Sequence, residues 1–408
     1  MVAPDTQQSP AAGAGGAGTP APPAPVPEPG APPEPHGGGQ HVFAAELLAF
    51  TERLFAAHGL PSERARAAAE ALCYGDLCGH PSHGLANLAR IYLPALADGR
   101  VDPRARPRTL ADNGASLLID ACRAPGLWQA GAAVDTAVQR AREYGVGLVS
   151  VRGATHFGCA GHHAARAAEH GMIGVVAANC GRQRIAPPPG GLAPLLGTNP
   201  LSVAAPALPG HPFVLDMSTT AAPTGRVREA ARAGRSVPAG WLADSAGDTV
   251  TDPAAFDRGD AHLLWLGAGA SARSGGAYKG FGLALAVEVL AALLPGAGLG
   301  PVQADRRGDG RSDDDIGFLA AAVAPDRLRE GFGADAGDLF SAVLAAPPTD
   351  AESPVRYPGW HEAESALRHR RDGVRLPSAL LRELAEAAEA AGVAGVAGVA
   401  APPVVGGR

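Results

Sequence analysis

The stretch "SLLIDACRAPGLWQAGAAVDTAVQRAREYGVGLVSV", residues 116–151, changes its hydrophobic pattern twice. "SLLID" reads as a strand, "LWQAGAAVDTAVQRAREYG" has apolar residues at helical spacing, and "VGLVSV" reads as a strand again. The alternation continues through "AGHHAARAAEHG" as a helix and "IGVVAAN" as a strand, which makes this part of the chain α/β. Further strands are expected at "LSVAAPA" and "FVLDMS". Upstream, "VFAAELLAFTERLFAAHG" is an amphipathic helix closed by a glycine, and a second helical stretch follows Pro61 and Ser62 toward residue 100. The first hundred residues therefore read as mostly helical. A third helical region falls near residues 377–391, and the apolar run "GFGLALAVEVLAALLPG" reads as a buried helix, since Glu288 and Pro295 interrupt it short of the ~20 residues a membrane span needs.

Residues 1–40 are rich in Pro, Gly and Ala and read as a disordered tail, and residues 392–408 read as a low-complexity tail. The division expected between them is an N-terminal helical part at 41–115, an α/β domain at 116–335 and a C-terminal helical part at 336–391. The 408 residues suffice for a large core. A charged fraction of 18% and a net charge of −6 offer no basic field, which argues against nucleic acid as a partner. Five scattered cysteines without an export signal read as reduced cytoplasmic thiols, and no membrane association is expected.

Two glycine patterns imitate a dinucleotide fingerprint. "GAGGAG" at residues 13–18 lacks a strand and a helix around it. Gly267-x-Gly269-x-x-Ala272 follows an apolar run, with Glu288 near the distance of a ribose-binding acid, but "RSGGAY" intervenes before any helix, so a Rossmann reading is disfavoured.

Histidines supply the chemistry. "THFGCAGHH", residues 155–163, sets His156, Cys159 and His163 where one helix face could hold a metal, yet no second Cys pair or HExxH helix completes a zinc set. A histidine at a strand-to-helix junction suits proton transfer instead. "GHPSHGLANLARIY" places Ser82 beside His83, where Ser82 reads as an orienting hydroxyl or a helix N-cap rather than a nucleophile.

"SHGLANLARIYLPALADG", "THFGCAGHHAARAAEHGMIGVVAAN", "LLGTNPLSVAAPA", "FVLDMSTTAAPTGRV" and "GGAYKGFGLALAVEVLAALLPGA" occur in the order and spacing of the malate/L-lactate/sulfolactate dehydrogenase family, which the chain resembles over residues 41–391. The resemblance implies a non-Rossmann α/β fold, with a central cofactor-binding sheet domain and a helical domain built from both chain ends. It further implies a homodimer that uses NAD or NADP to interconvert a small 2-oxo acid or cyclic imine with its hydroxy or amino acid. By the same resemblance His83 is the leading acid/base, His156 the second candidate and Ser82 an accessory. Asn87, Arg90 and Asn199 fall in the substrate region. Cofactor contacts fall on Cys180, on Asp216, Met217 and Ser218, on Tyr278 and Lys279, and on the "PG" turn at Gly359, Trp360 and His361; no metal is expected.

The sequence departs from the family pattern at several positions. Asn87 stands where a carboxylate-binding Arg is usual, with Arg90 three residues later and so able to reach the same helix face. Cys180 replaces a Ser or Thr, Arg226 replaces a Lys, and Trp360 is an extra residue in the "PG" turn. Asn87 and Cys180 motivate a rival reading, a member that binds a ligand or partner without turnover.

Overall fold

The computed structural model describes residues 38–181, 183–269, 275–299 and 314–396. The "GAGGAG" match, Ala272 and the last residues of the C-terminal tail lie outside them. In chain order the strands are β1 (Gly39–Val42), β2 (Arg108–Asp112), β3 (Ser116–Asp120), β4 (Val146–Ala154), β5 (Ile173–Ala178), β6 (Leu201–Leu208), β7 (His211–Met217), β8 (Leu242–Ala243), β9 (Thr249–Val250), β10 (His262–Leu263), β11 (Ile316–Val323) and β12 (Val374–Pro377). The helices are α1 (Ala44–Ala57), α2 (Ser62–Leu77), α3 (Leu93–Ala97), α4 (Gly126–Tyr144), α5 (Ala160–Ala168), α6 (Thr224–Arg232), α7 (Ala254–Arg258), α8 (Ala277–Glu288), α9 (Phe332–Leu344), α10 (Trp360–Asp372) and α11 (Ser378–Ala390).

Seven strands form the main sheet in the order β2-β3-β4-β11-β5-β6-β7. Only β3 and β4, joined through α4, pair in parallel; every other neighbouring pair is antiparallel. The alternation at 116–178 is thus present, but β11 arrives late in the chain and inserts between β4 and β5. This arrangement is a mixed sheet and not a doubly wound Rossmann sheet. The sheet also begins at β2, ahead of residue 116.

The two ends of the described chain meet in a second sheet. β1 and β12 pair antiparallel, with Val42 opposite Val374, so Gly39 and Gln40 are strand residues although the composition had assigned them to a tail. α1 packs on α2, α10 also contacts α2, and α2 in turn packs on α4. Phe50, Leu54 and Leu72 from α1 and α2 share one core with Leu127 and Val134 of α4 and Phe318 of β11. Burying each such side chain contributes roughly 1.5–3 kcal/mol, so the helices from both chain ends are fixed to the sheet by the same core that stabilises it.

The continuous helix read beyond residue 61 is in fact broken. After α2 the chain makes two short 3₁₀ turns, Pro81–His83 and Leu85–Asn87, then a π-helical turn, Leu88–Tyr92, before α3. Pro81 and Gly84 fall at these breaks, where helix propensity is lowest, and irregular turns of this kind recur at functional sites. The apolar helix α8 also departs from its expected burial. Leu285, Val289, Leu290, Leu293 and Leu294, on α8 and the turn after it, are 39–55% exposed in the single chain. No helix among the described residues is long and apolar enough to cross a membrane.

Candidate active site

Two loops bring the histidines together. His83 ends the first 3₁₀ turn, and His156 follows β4 two residues after its last residue. α4 starts hard against this second loop: the Gly126 N–H donates to Thr155 Oγ1 at 2.9 Å, and a Cβ at Gly126 would collide with the Thr155 and His156 carbonyls. A glycine at the first position of α4 is therefore what lets the His156 loop sit where it does.

The imidazole rings of His83 and His156 lie near-parallel, 23° apart, with centroids 6.3 Å from each other. Ser82 Oγ lies 3.1 Å from His83 Nδ1. Tyr92 Oη lies 2.6 Å from His156 Nδ1, and the Gly158 N–H points at the same nitrogen from 3.3 Å. Because a backbone N–H can only donate, Nδ1 of His156 accepts and the neutral ring carries its proton on Nε2. Burial, with His80 nearby, lowers His83 to about 4. Burial, with His83 and Arg90 nearby, lowers His156 to about 3. Both rings are neutral at physiological pH and neither is committed to an ion pair.

Asn87 is buried and uses both ends of its amide: Nδ2 donates to the Ser82 carbonyl at 2.7 Å, and Oδ1 accepts from Arg90 Nη2 at 2.6 Å. It thereby ties the backbone of the His83 turn to a guanidinium. The turn is also held from the α2 side, where the Leu85 N–H donates to Asp76 Oδ2 at 2.7 Å; burial pushes that carboxyl up to about 7. Tyr92 and Asp76 escape a motif-based reading of the sequence, although both flank the "SHG" motif.

The remaining candidates divide into separate groups. Asp216 and Gly359 line a small cavity of about 90 Å³ together with Tyr74, His80 and Glu362. The Gly161 N–H, in the first turn of α5, donates to Asp216 Oδ2 at 2.6 Å. His80 Nε2 lies 3.2 Å from Glu362 Oε1 and so links the turn before His83 to α10. Met217 ends β7, and Ser218 Oγ bonds the Thr220 carbonyl at 3.3 Å. Trp360 lies outside that cavity, stacked on His211 with centroids 4.1 Å apart and the Arg356 guanidinium 5.0 Å from its ring, while His361 is exposed. Tyr278 and Lys279 are exposed in the first turn of α8. Lys279 is the sole lysine of the 408 residues and makes no ion pair among the described ones. Cys180 Sγ lies 3.3 Å from Thr198 Oγ1, and burial raises its thiol so that it stays protonated. Asn199 is fully buried and donates to Glu288 at 2.8 Å and to the Ala284 carbonyl at 3.1 Å. Asn199 and Glu288 thereby brace α8 against the start of β6.

Cys159 and His163 do not join His156. His163 is buried and gives its Nε2 proton to the Phe157 carbonyl at 2.9 Å, while Cys159 precedes α5 as a buried residue. Among the described residues no three His, Cys, Asp or Glu are grouped to hold a metal.

The model for malate/L-lactate dehydrogenases matches residues 42–385. The chain is 36% identical over 252 residues to malate dehydrogenase of Pyrococcus abyssi, covering 62% of this chain and 67% of that one. It is 33% identical over 330 residues to (2R)-3-sulfolactate dehydrogenase (NADP(+)) of Chromohalobacter salexigens, covering 80% of this chain and 91% of that one. The solved structure of malate dehydrogenase from Entamoeba histolytica superposes with a TM-score of 0.82 at 26% identity, over 88% of this chain and 99% of that one. Delta1-piperideine-2-carboxylate reductase from Pseudomonas syringae superposes with a TM-score of 0.74 at 30% identity, over 85% and 99%. A mixed sheet with a paired-histidine site at one end of β4, found together with these similarities, means that the chain belongs to the malate/L-lactate dehydrogenase family and is an oxidoreductase of that type.

Proposed function

We propose that the protein is an NAD(P)-dependent oxidoreductase acting at the C2 carbonyl, hydroxyl or cyclic imine of a small 2-oxo or 2-hydroxy acid or a close derivative. The observation that carries this reading is the pairing of two neutral imidazoles 6.3 Å apart, each oriented by a hydroxyl, beside a guanidinium tied to the same turn. A nicotinamide supplies or receives the hydride at C2; the chain's own task is the proton and the orientation of the substrate. His83, held by Ser82, takes the proton from the C2 hydroxyl on oxidation and returns it on reduction. His156, with Nδ1 accepting from Gly158 and Tyr92, offers Nε2–H to the substrate oxygen. Arg90, steadied by Asn87, binds the carboxylate, and Asn199, anchored to α8 through Ala284 and Glu288, is assigned to the substrate region. Lys279 is free to meet a cofactor phosphate, and the Gly359 turn and the Asp216–Ser218 segment fit the rest of a dinucleotide. These donors suit NAD and NADP alike.

Titration with NADH and NADPH, followed by a screen of 2-oxo acids and cyclic imines at 340 nm, tests the reading. The expected result is saturable cofactor binding and turnover of at least one member of the panel. Cofactor binding with no turnover across the panel would favour the rival, a binding protein without catalysis.

The active form in this reading is a homodimer. The exposed leucines of α8 and the turn that follows it form an apolar face of a kind that soluble chains cover. Light scattering is expected to give twice the chain mass for the native protein and the chain mass for Val289→Lys/Leu293→Lys. A native monomer, or a double variant that stays dimeric, removes the assignment of this face.

A further inference from the structure

The 3₁₀ turn that follows His83 has no cap of its own. Gly84 precedes that turn, Leu85–Asn87, and without a side chain it offers no local acceptor to the first N–H. The acceptor comes from α2, nine residues back, where Asp76 Oδ2 receives the Leu85 N–H at 2.7 Å.

Two glycines make this reach possible. A Cβ at Gly84 would collide with the Asp76 carboxylate, and a Cβ at Gly75 would fall 2.7 Å from the Gly84 nitrogen and 2.9 Å from the His83 carbonyl oxygen. The His80 N–H also bonds the Gly75 carbonyl, at 2.6 Å. The end of α2 and the backbone of the His83 turn therefore lie directly against each other, and Gly84 is the one residue between His83 and the capped N–H.

Asp76 is 3% exposed and makes no ion pair among the described residues. Burial raises it, and the N–H groups of Leu85 and of Asp76 itself act the other way. The titratable side chains around it are Cys73 on its own helix and Cys159 ahead of α5, both held protonated by burial, and His80 and His83 on the turn packed against Gly75. A buried carboxylate with no cation beside it weakens a fold, and a neutral oxygen would also cap the turn. What the charge adds is strength, since a hydrogen bond to an ionised acceptor is roughly twice as strong as one to a neutral acceptor.

We propose that Asp76 is the positioning residue of the acid/base turn: as a carboxylate it clamps the Leu85 N–H and fixes the backbone on which His83 faces His156, and as a carboxylic acid it loosens that turn and slows turnover. The inference rests on the reaction at His83 proposed above. Asp76 acts through Gly84 and not on the reacting atoms. Because burial pushes the carboxyl up to about 7, the change between the two forms falls in the working range of pH.

The sign for stability is opposite to the sign for rate. Between its ordinary value of 3.8 and about 7, the folded chain holds a proton on Asp76 that the unfolded chain has released, so stability falls as the pH rises through this window. Asp76→Asn keeps an oxygen acceptor and loses the charge. The variant is expected to gain Tm relative to wild type from pH 5 to pH 8, and yet to be roughly tenfold slower in kcat at pH 8 with KM and cofactor Kd little changed. The wild type is expected to show a rise in kcat centred near pH 7 that the variant lacks. The same rise in Asp76→Asn, full activity of the variant at pH 8, or a rate loss that tracks a lower Tm there overturns the assignment. A readout free of turnover is the ring signal of His83 in protein labelled with [15N]histidine, identified by its absence in His83→Ala. If no 2-oxo acid or imine is turned over, the reaction is the failed premise, and the positioning role then stands on a His83 signal that shifts through pH 7 in wild type and stays fixed in Asp76→Asn. A signal that ignores pH from 6 to 8, or shifts equally in both proteins, overturns it.

Discussion

His83→Ala lowers kcat by roughly 10²–10⁴ with little change in cofactor affinity, the size expected for losing a general acid/base. Its selectivity follows from geometry. His83 touches Ser82 and faces His156, whereas Lys279 and Gly359, the groups assigned to the dinucleotide, lie on other elements. His156→Ala is expected to cost less, because a polarising donor is lost while the proton acceptor remains; a dead His156→Ala beside a fully active His83→Ala would exchange the two roles. A stability control comes with the same variant. Burial holds His83 at about 4, below the ordinary value of about 6.5, so between those values the unfolded chain binds a proton that the folded chain does not. Folding stability is then lost as the pH falls through this window. Alanine removes that penalty, so the gap in Tm between wild type and His83→Ala should shift in favour of the variant from pH 7 to pH 5. A rate loss at pH 7.5 that simply tracks a fall in Tm would mark His83 as structural.

Parts of this site were legible in the sequence for local reasons. The strand, helix and strand at 116–151 follow from period alone, and the His156 loop falls at a strand end where the pattern changes. What escaped depends on contacts far apart in the chain. β11, flanked by charged residues, pairs with β4 and β5, more than a hundred residues away. β1 and β12 are four residues each and exist because they pair with one another across the whole chain. The α8 stripe carries a buried-helix pattern, yet much of it faces outward, because periodicity shows that an apolar face needs a cover and not which chain supplies it. Asn87 read as a lost charge, whereas the structure shows both ends of its amide in use.

Arg90→Ala lowers kcat/KM for 2-oxo acids by roughly 10², the loss of a charge-assisted carboxylate contact, while leaving the corresponding amides far less affected. The expectation follows from the bond at 2.6 Å between Arg90 Nη2 and Asn87 Oδ1, which fixes the guanidinium beside the turn that carries His83. Asn87→Arg is expected to fail as a restoration of the usual family residue. Asn87 is 3% exposed and its Nδ2 supports the Ser82 carbonyl, so a larger charged side chain would abandon that carbonyl and meet Arg90 as a like charge. Arg90→Lys should recover only part of the activity, since an ammonium gives the charge without the bidentate fork. Arg90→Ala should depress monoanionic and dianionic 2-oxo acids alike, because both carry the C1 carboxylate. A carboxylate preference that survives Arg90→Ala would mean that another group holds C1. A gain in carboxylate activity in Asn87→Arg would mean that Asn87 marks a lost clamp and that Arg90 has not taken its place.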